Sequence, residues 1–280
     1  MLEYRNILIF LAVFALFLGA TVEISEGSMA IGIILFAIAL LLITRIRVTT
    51  SLSIKADKYK LVAGGGIILA DIVYNLTTAD QQLGTLDMMT FLLGVSLVAQ
   101  GIPREDTRRM GVFGMYVSGI FIALFLVFFS LFNELNIDFT HIFDHYFVLL
   151  PSFYIIKSLG LPVQIISTET IRIQGLEDMT VVIGGPCSGL YSMFLLVAMV
   201  IAYSRIESIG QKKLLSLLGL TIAIAYIANL TRVTTLYLVA FYYGSEAMMT
   251  VHEHLGWIIF LIVVTAILYI ISRVSPSAKM

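Results

Sequence analysis

The stretch GGPCSGLYSMFLLVAMVIAYS, residues 184–204, decides the fold class, because it is long, uncharged and strongly apolar. A helix that crosses a hydrocarbon core of ~30 Å needs roughly 17 to 25 such residues. The stretch therefore predicts a transmembrane helix near 188–204. At the entrance of this helix lies Cys187, the only cysteine of the chain.

The rest of the chain has a similar composition. Of its 280 residues, 59% are apolar and only 12% are charged, with a mean hydropathy of +1.00. A soluble domain carries roughly a quarter charged residues, so we expect an all-α polytopic membrane protein with one integral-membrane domain over 1–280. Hydropathy predicts eight spans, near 7–22, 29–44, 61–76, 88–102, 111–132, 188–204, 214–231 and 256–272.

The basic residues orient these spans. All but three of the 17 Lys and Arg residues fall at the termini or in alternate connections, and the exceptions are Lys157, Arg172 and Arg232. Connections rich in Lys and Arg stay in the cytoplasm. Both termini are therefore predicted to be cytoplasmic, and the long connection 133–187 is predicted to be extracytoplasmic.

This outer connection is predicted to have structure of its own. Its apolar part, 147–163, contains two prolines, which indicates an interfacial or re-entrant helix. In 170–183, apolar and polar residues alternate on both sides of a Gly-Leu-Glu-Asp turn. This period is typical of a β-hairpin, and the hairpin would lead the chain to Cys187.

Polar residues from three segments fall on this outer face. Cys187 follows Pro186 at a predicted helix start, where unpaired N–H groups and the helix dipole lower the pKa of a thiol. Arg232 lies near the outer end of the seventh span, where a charge is costly unless it faces a cavity or partner. His252 and His254 precede the last span. A thiol, one neutral imidazole as base and a guanidinium that stabilises an oxyanion indicate acyl transfer.

Each residue also has an ordinary structural interpretation. A free cysteine is usually a small buried hydrophobe, an arginine near a span end can snorkel to the headgroups, and either histidine could be an interfacial polar residue. Asp71, in the third span, fits a site or a helix-packing role equally well. Only three candidate ligands cluster at 252–254, so we predict no metal and no cofactor.

The order and spacing of the motifs resemble the exosortase/archaeosortase family. The resemblance rests on Cys-Ser-Gly at 187–189, Asn-x-x-Arg at 229–232 and His-x-x-x-Gly at 252–256. It implies a membrane-embedded cysteine transpeptidase with Cys187, Arg232 and His252 as catalytic residues. Residues 111–272 would form the catalytic core, and 1–110 would hold the N-terminal spans.

The resemblance also implies partners and a location. Members of this family act on surface proteins that end in a short motif, a transmembrane helix and a basic cluster, and archaeal members are linked to replacement of that helix by a lipid anchor. The site would lie at the outer side of the cell membrane, with a membrane lipid as the acceptor and no role for nucleic acid. Residues beside the motifs are candidates for substrate binding: Ser188, Gly189, Ser192, Asn229 and His254.

Other classes of protein remain open. A transporter would need discontinuous helices and polar residues near the midplane, preferably in two repeated halves, and the sequence shows neither clearly. A structural scaffold would need no nucleophile. A serine intramembrane protease that uses Ser188 or Ser192 is a nearer alternative, but it would leave Arg232 without a role.

Overall fold

The computed structural model describes residues 34, 38, 57–77, 84–184, 188–207 and 209–274. The first two predicted spans, 7–22 and 29–44, lie outside these ranges apart from Ile34 and Ile38. Cys187 also lies outside the described residues. The described chain is mostly helical, as the sequence predicts, and contains one small sheet.

Helices coincide with the six predicted spans that fall in the described ranges. Three segments, Lys58–Thr77, Thr107–Leu131 and Gln211–Ile271, are long and apolar enough to cross a membrane, as far as the described residues extend. The number of eight spans stays a prediction. In chain order the helical elements are α1 Lys58–Thr77, α2 Thr85–Gly101, α3 Glu105–Phe125, a π-helical turn Leu126–Leu131, α4 Phe132–Glu134, α5 Phe139–Phe143, a second π-helical turn Asp144–Leu149, α6 Leu150–Ser158, α7 Leu190–Ile206 and α8 Gln211–Val274.

Helix α8 contains both of the last two predicted spans and the residues between them. Its helical geometry is interrupted at Gly244, with φ 84° and ψ −175°. Glycine adopts this conformation readily because it has no Cβ. The residues between the two spans are therefore helical on both sides of a single break, and we call 211–243 the first arm and 245–274 the second arm.

A three-stranded antiparallel sheet follows the helical part of the outer connection. Strands β1 (Val163–Ile165), β2 (Thr170–Gln174) and β3 (Asp178–Val182) lie in the order β1-β2-β3. The predicted hairpin corresponds to β2 and β3, with Ile171 opposite Val181. The sequence does not indicate β1, because it is only three residues long and directly follows the apolar run around Pro162.

Contacts divide the chain into two compact units. In the described part of one unit, buried Gln100 joins three helices: its Oε1 accepts from Lys60 Nζ at 2.7 Å and its Nε2 donates to the Gly111 carbonyl at 3.1 Å.

The second unit consists of 124–197 and 218–264. In its core, Ile171 and Ile173 of β2 are 0% and 1% exposed and cluster with Val233 and Tyr237 of the first arm. The sheet that leads towards Cys187 is thus packed against the arm that carries Arg232.

Candidate active site

The first arm of α8 holds the main chain beside Cys187. Asn229 Nδ2 donates to the backbone oxygen of Ser188 at 2.8 Å, and Ser188 is only 3% exposed. The hydroxyl of Ser188 accepts from the N–H of Leu190 at 3.4 Å, where α7 begins. The sequence predicts Asn229 and Ser188 as substrate-binding residues, and in the structure the two bind each other.

Gly189 makes this contact sterically feasible. Its φ of 79° is in the left-handed region, and a Cβ added at this position would lie 2.5 Å from Cγ of Asn229. Both the backbone conformation and the close approach therefore require glycine. Gly189 of the Cys-Ser-Gly motif thus packs directly against Asn229 of the Asn-x-x-Arg motif.

Arg232 makes a similar contact with the second arm. It lies three residues after Asn229 and hence on the same face of the first arm. A Cβ added at Gly256 would lie 3.1 Å from Nη2 and 3.2 Å from Cζ of Arg232. His252 lies one turn before Gly256, is half-buried, and interacts electrostatically with Arg232 and Glu253. The His-x-x-x-Gly spacing therefore places a glycine surface against the guanidinium and an imidazole one turn away, within electrostatic range of it.

His254 has a different environment. Its side chain is exposed, and its Nδ1 lies 2.9 Å from the carbonyl oxygen of Thr250, one turn earlier in the second arm. Two residues apart on a helix, His252 and His254 point in different directions.

A small cleft is lined by residues of α7 and of both arms of α8. Its polar part is lined by Ser192, Asn229 and Arg232, and the rest by small or apolar residues of α7 and both arms, among them Leu196, Ala225 and Phe260. The guanidinium has a buried Nε that meets no hydrogen-bond partner among the described residues. The cleft therefore presents a cation and two neutral polar side chains on one part of a surface that is otherwise lined by small and apolar residues.

A buried carboxyl group lies next to this site and is not indicated by the sequence. Asp144 is 0% exposed and begins the second π-helical turn. Burial raises the pKa of Asp144 to about 6, although the charge of His141 and the proximity of Ser188 act in the opposite direction. Asp144 therefore approaches Ser188, the residue after Cys187.

Two histidines attach the helical part of the outer connection to the β1–β2 loop. His141 Nδ1 binds the carboxylate of Glu169, and His145 Nδ1 lies 2.7 Å from the carbonyl oxygen of Thr168. In the described ranges, no group of three His, Cys, Asp or Glu side chains is placed to hold a metal ion.

The fold and the site define an apolar helical protein with a guanidinium in a cleft beside the segment that follows its single cysteine, and with an imidazole within electrostatic range of that guanidinium. The sequence profile of the transmembrane exosortase family matches residues 23–269. The chain belongs to this family, and the resemblance drawn from its three motifs is confirmed. No curated protein and no solved structure matches the chain. Membership of this cysteine transpeptidase family supports a membrane transpeptidase-like role.

Proposed function

We propose that this protein cleaves the C-terminal sorting signal of surface proteins through a thioester on Cys187 and transfers them to an acceptor, for which a membrane lipid is the best candidate. Arg232 stabilises the oxyanion and His252 transfers protons. The observation that carries the proposal is the contact among the three motifs: Asn229 holds Ser188, and Arg232 of the same helical face lies against Gly256, one turn after His252.

In the first half-reaction, the neutral imidazole of His252 takes the proton of the Cys187 thiol, and the resulting thiolate attacks the carbonyl carbon of the scissile peptide bond. The oxygen gains negative charge, which the N–H donors of Arg232 stabilise. The C–N bond then breaks, and the amine leaves with a proton from His252, so that a thioester joins the surface protein to Cys187. In the second half-reaction, an acceptor hydroxyl or amine gives its proton to His252 and attacks the thioester. The C–S bond breaks and the thiolate is regenerated.

Arg232 and His252 suit these roles for structural reasons. Gly256 leaves room for the guanidinium, and a planar guanidinium presents several donors in fixed directions. His252 is half-buried and within electrostatic range of that cation, whereas His254 is exposed and bound to its own helix. A neutral imidazole next to a fixed cation is a suitable partner for a thiol.

The eight-span topology would place this site on the extracytoplasmic side. A substrate helix would then approach within the membrane plane, beside the apolar part of the cleft, and bring the bond before it to headgroup level. Ser192 and His254 are the described candidates for contact with the substrate main chain. In this arrangement 1–280 is one integral-membrane domain with 111–272 as its catalytic core.

Processing of a substrate in cells tests the proposal. A surface protein that ends in a short motif, one apolar helix and a basic tail would be expressed with the enzyme. Mass spectrometry of the surface protein would detect loss of the tail. Cys187→Ala and Cys187→Ser should both abolish processing while the protein stays in the membrane. Ser192→Ala should keep processing at a reduced rate because it loses only a substrate contact, and Ser158→Ala, an exposed serine outside the cleft, should process normally. Processing by Cys187→Ala, together with an inactive Ser192→Ala, would favour a serine protease instead.

Thiol labelling tests the proposed sidedness. In a Cys187→Ala background, single cysteines at positions 50, 140 and 208 would be treated with a membrane-impermeant reagent in intact cells. Position 140 should react from outside, and positions 50 and 208 should react only after permeabilisation. Reaction of all three from the same side would contradict an extracytoplasmic site.

A further inference from the structure

The turn between β2 and β3 lies on the break in α8. The N–H of Leu176 donates to the carbonyl oxygen of Phe241 at 2.9 Å. The N–H of Ser245 donates to Oε2 of Glu177 at 3.1 Å. Gly175 also packs on this segment, because a Cβ added there would lie 2.7 Å from Cα of Phe241. The turn thus contacts the end of the first arm and the start of the second.

These contacts satisfy two main-chain groups that an uninterrupted α-helix would pair with each other. In an uninterrupted α-helix the carbonyl of Phe241 would accept from the N–H of Ser245, four residues later. At the break, Leu176 supplies a donor to that carbonyl and Glu177 supplies an acceptor to that N–H. A carboxylate is also favourable at the N-terminal end of a helix because of the helix dipole.

The break itself lies against the carboxylate of Glu177. Gly244 is buried with φ 84°, and a Cβ added there would lie 3.0 Å from Oε1 of Glu177. The Glu177 side chain, from the β2–β3 turn, therefore contacts the break in α8 directly. The sheet itself packs against the first arm through the core that includes Ile171 and Tyr237.

The angle between the arms matters for the site because Arg232 lies on one arm and His252 on the other. At a rise of about 1.5 Å per residue, His252 lies about 12 Å along the second arm from Gly244. A change of about 5° in the angle would therefore move His252 by about 1 Å relative to Arg232. A displacement of about 1 Å can cost about 100-fold in rate.

We propose that Glu177 is a positioning residue for the transpeptidase site, which sets the angle between the two arms of α8 and so the placement of His252 against Arg232. This inference rests on the proposed function. It assigns the sheet a role beyond delivery of the chain to Cys187: its turn also fixes the two arms that carry the other catalytic residues.

Three variants test the role by kinetics. Glu177→Ala should lower turnover of a sorting-signal peptide by about tenfold to a hundredfold with little change in KM, because the turn does not line the cleft. Glu177→Gln keeps an oxygen acceptor for Ser245 and should recover most of the rate. Asp178→Asn is the matched control, because Asp178 is the next residue but binds Arg172 within the sheet.

A distance measurement tests the role without relying on activity. Spin labels would be placed on cysteines at Ile227 in the first arm and Ile262 in the second, which are 62% and 63% exposed, in a Cys187→Ala background in nanodiscs. Glu177→Ala should shift or broaden the distance distribution, and Glu177→Gln should restore it.

The two measurements separate the inference from the proposed function. An altered distance distribution in Glu177→Ala would support the role of Glu177 in holding the two arms, whether or not the enzyme is active. Absence of turnover in the unmodified enzyme would refute transpeptidase activity. Unchanged turnover or an unchanged distribution in Glu177→Ala would overturn the positioning role. Equal losses of turnover in Glu177→Ala and Asp178→Asn would also overturn it, because they would indicate general damage to the hairpin.

Discussion

Replacing Gly189 by alanine tests the contact that holds the chain beside Cys187. Alanine at φ 79° costs about 1–2 kcal/mol for the left-handed backbone conformation. The new Cβ would also lie 2.5 Å from Cγ and 2.8 Å from Oδ1 of Asn229, so the amide must move and give up its hydrogen bond to Ser188. A lost hydrogen bond adds about 0.5–1.5 kcal/mol. The total loss of stability should be about 1.5–3.5 kcal/mol.

A second glycine, Gly160, separates the cost of the backbone conformation from the cost of the lost hydrogen bond. Gly160 has φ 80° and nothing within 4 Å of an added Cβ, so Gly160→Ala should show the backbone cost alone. Asn229→Ala removes the side chain that Gly189→Ala would displace. In that background Gly189→Ala should cost no more than Gly160→Ala, and the coupling between the two sites should be about 0.5–1.5 kcal/mol.

Apparent unfolding midpoints in detergent, together with turnover of a sorting-signal peptide, provide the assay. Gly189→Ala should unfold roughly 1–6 °C below Gly160→Ala and should lose turnover, whereas Gly160→Ala should keep it. Equal midpoints for the two variants, or strictly additive effects of Gly189→Ala and Asn229→Ala, would refute the contact.

Three further perturbations address individual side chains. Arg232→Lys should lower turnover by about 10²-fold or more, because an ammonium lacks the planar set of donors; near-normal rates would show that charge alone suffices. His252→Ala should lose about 10²–10⁴-fold in rate and His254→Ala far less, so equal losses would contradict the choice of His252. Burial raises the pKa of Asp144 from 3.8 to about 6, so the folded state favours the protonated carboxyl. The unfolding free energy should therefore be highest below about pH 4 and fall by up to about 3 kcal/mol by about pH 6. Asp144→Asn should flatten this fall, and an unchanged slope in the unfolding midpoint against pH would contradict the assignment.

Hydrophobic patterning predicts most of the described fold. Long apolar runs predict the helices because only a helix satisfies the main chain within a membrane. The alternation around Ile171 and Ile173 predicts the hairpin, and both side chains are buried in the core of the second unit. In both cases the pattern of apolar residues in the sequence reflects the environment that each side chain meets in the folded protein.

Features that depend on single contacts could not be predicted in this way. The break at Gly244 is one glycine within a helical sequence, and only the contact with Glu177 distinguishes it from an ordinary helical glycine. Asp144 is buried, but the aromatic and polar residues around it in the sequence, 141–147, show no regular period that would indicate this. Helix α7 begins at Leu190, later than the start at Pro186 that would put Cys187 in the first helical turn, because Gly189 adopts a left-handed conformation against Asn229.

For the candidate site, the sequence predicts which motifs meet but not how. The residue types at 187–189, 229–232 and 252–256 indicate the chemistry. The pairing of each glycine with a side chain of the Asn-x-x-Arg motif requires coordinates, because Gly189, Asn229 and Gly256 are far apart in the chain. Asn229, which the sequence predicts as a substrate-binding residue, also holds Ser188; its contact with substrate stays a prediction.

The most direct test of the central claim is the mass of the enzyme trapped during turnover. Purified protein in nanodiscs would be mixed with a sorting-signal peptide, quenched in acid within the first turnover, digested and mapped. The proposed mechanism predicts an acyl adduct on the peptide that contains Cys187, sensitive to hydroxylamine and absent from Cys187→Ala. An adduct on Ser188 or Ser192, or full turnover by Cys187→Ala, would contradict it.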